Sequence, residues 1–71
     1  MLPNEKEVID FIERSKHLVN FSMIAKKFDI KNTTVSDIVD SLEKKKLVFV
    51  EKIGGQKIVM VKEKWKEARL Q

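Results

Sequence analysis

The chain has 71 residues, with 15 Lys and Arg against 11 Asp and Glu, a net charge of +4 and no cysteine. That is one domain at most, without disulfides or thiolate metal sites, and its hydrophobic content of 42% is too high for a disordered segment. No stretch approaches the apolar length of a membrane span, and the opening residues lack a signal-peptide core, so a cytoplasmic or nucleoid-associated protein that contacts no membrane is the expected default.

In chain order, the first helix is expected over about residues 4–16. Asn4 followed by Glu7 has the spacing of a capping box, with Leu2 and Pro3 just ahead. Val8, Ile9, Phe11 and Ile12 supply its apolar stripe. His17 falls near the C-terminal end, where capping or exposure to solvent suits an imidazole. Leu18 and Val19 form a short extended link, and Asn20 is an N-cap for a second helix over about 21–28. Phe21, Ile24, Ala25 and Phe28 fall at i, i+3, i+4 and i+7, a single helical face. Asp29 occupies the following turn, since Asp tolerates a left-handed backbone better than most side chains, and Ile30 plugs into the core. Asn32 or Thr33 then caps a third helix over about 32–45, in which Val35, Ile38, Val39 and Leu42 repeat the same stripe. A small residue at Ala25 lets the two helices cross closely, as a helix-turn-helix requires. Lys44, Lys45 and Lys46 crowd the last turn, which the helix dipole favours.

From Leu47 the period becomes that of a strand. Gly54-Gly55 between two apolar runs predicts a hairpin over about 47–62 with a two-residue loop. Centring the loop on the glycines pairs Val48 with Val61, Val50 with Val59 and Lys52 with Lys57 on one face. Phe49 with Met60, Glu51 with Ile58, and Ile53 with Gln56 fall on the other. The inner part is apolar on both faces and should be sandwiched, whereas the tip is polar and should project. Residues 63–70 resume helical character, with Trp65 expected in the core or at a dimer seam rather than on a ligand.

The stretch from Ala25 to Val48 resembles the core of winged helix-turn-helix regulators, especially the MarR-like and ArsR-like groups. Ala25 matches the family's small residue, Ile30, Val35, Ile38 and Leu42 match its apolar positions, and the passage from Ile38 through Leu47-Val48 into a ribbon is similar to the MarR-type entry to the wing. The likeness spans about residues 20–62. It implies an α+β fold, a small winged helix: a three-helix core, a two-stranded hairpin wing and a short C-terminal helix. It also implies double-stranded DNA as partner and a homodimer placing two third helices in successive major grooves. The family often has Gly where this chain has Asp29 and Lys46. The long dimerisation helices of the larger regulators have no room here, and no small-molecule ligand is identified.

The charge distribution points to an anionic partner on one side or to a solvated Lys/Glu-rich surface of a heat-adapted protein. Basic and acidic residues cancel over residues 1–30, and the whole excess lies in 31–71. At the start of the third helix, Lys31, Asn32, Thr33 and Thr34 can hold a phosphate. Asn32 or Ser36 can bond base edges, and Asp37 can accept from cytosine N4. Lys44 at the helix end and Lys52 and Lys57 at the wing tip are candidate phosphate contacts. Asp37 and Asp40 put negative charge on the reading face, and no arginine accompanies them, so binding with weak base discrimination is expected. The competing expectation is a winged-helix module docking a basic or strand-forming protein. One histidine and no tyrosine leave no nucleophile–base pair; neither an enzyme nor a cofactor is expected.

Overall fold

A computed structural model describes residues 2–62. The closing helix expected at about 63–70, with Trp65, lies outside the described residues. The elements are α1 (Glu5–Arg14), β1 (Val19–Asn20), α2 (Phe21–Phe28), α3 (Asn32–Lys44), β2 (Val48–Ile53) and β3 (Gln56–Val61). Together they make an α+β fold of three helices and an antiparallel three-stranded sheet in the order β1-β3-β2.

Helix α1 starts on the capping box: Asn4 Oδ1 accepts from the Glu7 N–H at 2.8 Å, and the Glu7 carboxylate accepts from the Asn4 N–H at 3.0 Å. It stops at Arg14, sooner than its apolar pattern suggests. Ser15 is extended, and its hydroxyl accepts from the His17 N–H and donates to the His17 carbonyl, which replaces another helical turn with a local one. His17 is exposed.

Helices α2 and α3 end alike. Asp29 has φ +53°, and the Ile30 N–H reaches back to the Ala25 carbonyl at 3.0 Å. Lys46 has φ +61°; its N–H bonds the Glu43 carbonyl at 2.9 Å, and the Leu47 N–H bonds the Leu42 carbonyl at 3.0 Å. These are Schellman closures with a side chain where glycine is usual. The apolar residue following each, Ile30 or Leu47, packs against the core.

The expected cap of α3 is corrected. Neither Asn32 nor Thr33 caps it: Lys31 takes the N-cap position, extended and without a side-chain hydrogen bond, and Asn32 is already helical. Burial sets this phase. Ile30 is fixed by the preceding turn, and Val35, whose N–H bonds the Lys31 carbonyl at 3.0 Å, must face inward. Of the four residues between them, Lys31 is the one whose carbonyl accepts that bond and so opens the helix.

The hairpin has the expected register at all six pairs, from Val48 with Val61 to Ile53 with Gln56. Gly54 and Gly55 at φ +59° and +80° form its loop, both left-handed as a two-residue type I′ turn requires. Leu18-Val19 is not merely a link: Val19 and Asn20 pair with Val59 and Ile58 as a third strand. The inner end of the hairpin is covered on both faces, with Val48, Ile58 and Val59 buried and Phe49, Val50, Met60 and Val61 half-buried. Residues 51–57 are exposed. One apolar cluster runs through the fold, joining Val8, Ile9 and Ile12 of α1 to Ile24, Val35, Val39, Leu42, Val48 and Val59.

Candidate nucleic-acid interface

The first turns of α3 and the start of β3 line one groove, and Asn20 beside it ties β3 to α2. Its Oδ1 caps α2 by accepting from the Met23 N–H at 2.9 Å, and its Nδ2 donates to Gln56 Oε1 at 3.0 Å. One carboxamide therefore ties the foot of α2 to the first residue after the glycine loop. Between α2, α3 and the hairpin this leaves an open groove of about 420 Å³. Asn32, Thr33 and Ser36 reach it from α3, Phe21 and Ser22 from α2, and Gln56 and Lys57 from β3.

Lys57 does not extend straight into solvent. Its ammonium lies over the Phe21 ring, 5.9 Å from the centroid, a cation–π arrangement. A second hollow adjoins the groove at Phe21, and in it Ser36, Asp40 and Glu43 of α3 face Lys52 and Lys57 of the hairpin.

The outer surface of α3 thus has two flanks of different chemistry. The flank facing the hairpin carries amide and hydroxyl groups in its first two turns, with carboxylates following. Asp40 borders both flanks, and the other one holds Asp37, Ser41, Lys44 and Lys45 around a hollow of its own. Lys45 is occupied within the fold. Its ammonium meets Glu5 Oε1 at 2.6 Å while the Ser41 hydroxyl donates to Glu5 Oε2 at 2.7 Å. Those hydrogen bonds, that from Lys45 foremost, hold the Glu5 carboxyl below its ordinary value of 4.5.

Of the residues singled out in the sequence, Asn32, Thr33, Ser36 and Lys57 share the groove, and Lys52 joins them through the adjoining hollow. Asp37 and Lys44 lie on the opposite flank. Lys31 is exposed at the N-cap, Thr34 is half-buried, and neither lines these hollows. Sequence reasoning passes over Asn20, Phe21, Ser22 and Gln56 as site residues. Asn20 is legible as a cap, but nothing in the chain announces a second bond to a residue 36 positions away.

Among the described residues no group of three or more His, Cys, Asp or Glu is placed to hold a metal ion, and no helix is long and apolar enough to cross a membrane. Residues 31–62 hold seven lysines and four acidic residues, so the excess of positive charge is carried by the half of the chain that builds α3 and the hairpin.

The chain is similar to the crystal structure of AF1382 from Archaeoglobus fulgidus, with a TM-score of 0.74 and 25% identity over 99% of this chain and 82% of that one. No family model matches the chain, and no curated protein does.

Proposed function

We propose that this is a winged-helix DNA-binding protein, a small transcriptional regulator or nucleoid-associated factor. In this reading α3 enters the major groove of duplex DNA and the β2–β3 hairpin serves as the wing on the neighbouring backbone. The observation that carries it is the shared opening: the first turns of α3 and the start of β3 line one groove that the described residues leave uncovered. Asn32 and Ser36 address base edges from this end of the helix. Thr33 and Thr34, with the backbone of a helix start that no side chain caps, receive a phosphate. Lys31, Lys52 and Lys57 supply charge along the strand, and Lys44 continues it beyond Asp37. A homodimer would set two such helices on successive turns of the duplex.

Asp37 and Asp40 favour a second reading. Both are exposed on α3 and, among the described residues, have no ion-pair partner, which suits a module docking a basic protein surface. Backbone amide shifts on titration with a short mixed-sequence duplex separate the two. Movement of Thr33, Ser36, Lys52 and Lys57 at low salt is the result expected of a DNA-binding protein. No movement at any of the four rejects it and leaves the docking module.

A further inference from the structure

The groove is chemically unlike the rest of the surface of α3. Its lining contains an aromatic ring, carboxamides, hydroxyls and an ammonium, but no carboxylate. The side chains of Asn32, Thr33 and Ser36 make no hydrogen bond to other described residues, and Gln56 uses only its Oε1, so its amide nitrogen keeps both donors. Donors and acceptors therefore stand open around the half-buried ring of Phe21, at the mouth of a hollow large enough for a small planar ligand.

This is the chemistry that receives an unpaired base. Aromatic faces stack on bases that have left a duplex, and carboxamides and hydroxyls bond the edges that pairing would otherwise occupy. A paired base inside a duplex presents its rim to a protein, not the face that Phe21 can stack on. Lys57 supplies the remaining part. Its contact with the Phe21 ring is that of an exposed cation–π pair, worth only about 0.5–1 kcal/mol, so the ammonium can exchange the ring for a phosphate at little cost.

We infer that the groove between α2, α3 and the hairpin tip binds an unpaired nucleotide, its base stacked on Phe21, its edge met by Asn32 and Gln56, and its phosphate met by Lys57. The inference rests on the nucleic-acid reading of this surface and adds to the duplex a ligand with unstacked bases, such as a single strand, an overhang or a junction.

The test compares labelled oligothymidylate, its RNA counterpart and a blunt duplex on the full chain, with Phe21→Leu as the variant. Leu keeps apolar bulk at this site and removes the stacking face. Single strands are expected to bind at least as well as the blunt duplex. Phe21→Leu should weaken them about 5- to 150-fold, a larger loss than for the duplex, whose paired bases do not use the stacking face. Because Phe21 also packs against the core, the wild-type protein is read in parallel by NMR: base protons should shift upfield and show contacts to the Phe21 ring. Whichever of DNA and RNA binds more tightly identifies the sugar. Absence of base-to-Phe21 contacts, or full single-strand affinity in a folded Leu variant, overturns the inference. If duplex binds and single strands do not, the inference falls and the duplex reading stands; if neither binds, both fall.

Discussion

The Asn20 side chain donates to Gln56 at 3.0 Å while capping α2 with its other end, so the hairpin and the second helix share a single carboxamide. The two bonds can be taken apart. Asn20→Ser retains an oxygen able to cap Met23 but is too short to reach Gln56, whereas Asn20→Ala loses both. Loss of a cap costs about 1 kcal/mol, and loss of an exposed side-chain hydrogen bond about 0.5–1. We therefore expect Asn20→Ala to be the more destabilising, with Asn20→Ser and Gln56→Ala each milder. A double-mutant cycle between Asn20→Ser and Gln56→Ala should return a coupling of about 0.5 kcal/mol in urea melts. Zero coupling would mean that the contact does not anchor the hairpin.

Lys46 and Asp29 are the non-glycine residues with positive φ among those described. A side chain in the left-handed region costs roughly 1–2 kcal/mol relative to glycine, less for Asp, whose side chain bonds locally. Lys46→Gly is accordingly expected to stabilise the domain by about 1 kcal/mol, raising Tm by roughly 4–8 °C for a chain of this size. Asp29→Gly should give a smaller gain. Lys46→Ala should give almost none, because the strain lies in the backbone. The hairpin glycines respond in the opposite sense: a Cβ at Gly54 or Gly55 meets nothing within 4 Å, yet alanine at either should cost about 1 kcal/mol through φ alone. Calorimetry on the five single variants measures the contrast.

Acid should release the clasp between α1 and α3. The Glu5 carboxyl, hydrogen-bonded by Lys45 and Ser41, titrates lower in the fold than in the unfolded chain. Its contribution is thus fully present above the ordinary value of 4.5, and it disappears as pH falls through the lowered folded value. Side-chain exposure of 34% at Glu5 and 56% at Lys45 keeps the effect small, about 0.5 kcal/mol after solvent screening. Glu5→Gln should be less stable than wild type by that amount at neutral pH, and the two unfolding curves should converge at the acid end. A constant gap down to the lowest pH reached would assign the loss to packing rather than charge.

What the sequence reveals and what it withholds divide along physical lines. The stripes at Phe21–Phe28 and Val35–Leu42 are long enough to show a period, and Gly54-Gly55 pins the hairpin because only one register places both in the loop. The left-handed residue at Asp29 is also readable, from where the first stripe stops; that at Lys46 is not, because three consecutive lysines suit a last helical turn equally well. By contrast, β1 is two residues long and carries no period; it exists because β3 offers it an edge. The cap at Lys31 follows from tertiary burial of Ile30 and Val35, which overrides the preference of Asn32 and Thr33 for that position. The groove escapes for a related reason. Asn20, Phe21 and Gln56 each have an adequate local role as cap, core-facing aromatic and turn flank, and only the fold sets them beside Asn32 and Ser36.

The hairpin lysines provide the direct measure of the DNA-binding reading. Each phosphate contact releases counterions, so its loss flattens the plot of log K against log salt by about 0.9 for duplex DNA. Lys52→Ala and Lys57→Ala together should flatten it by roughly two units per subunit and weaken all sequences alike, because phosphate contacts carry no base information. Lys27 gives the control. It lies in the hollow between α1 and α2 with Glu7, Asp10 and Arg14, away from α3 and the hairpin, so Lys27→Ala should leave the slope within experimental error. Lys57 also has a contact to exchange, since its ammonium sits over Phe21 in the free protein, whereas Lys52 has no partner among the described residues. Affinity at low salt should therefore fall more for Lys52→Ala than for Lys57→Ala, although both change the slope equally. An unchanged slope in the double variant would remove the hairpin from the interface.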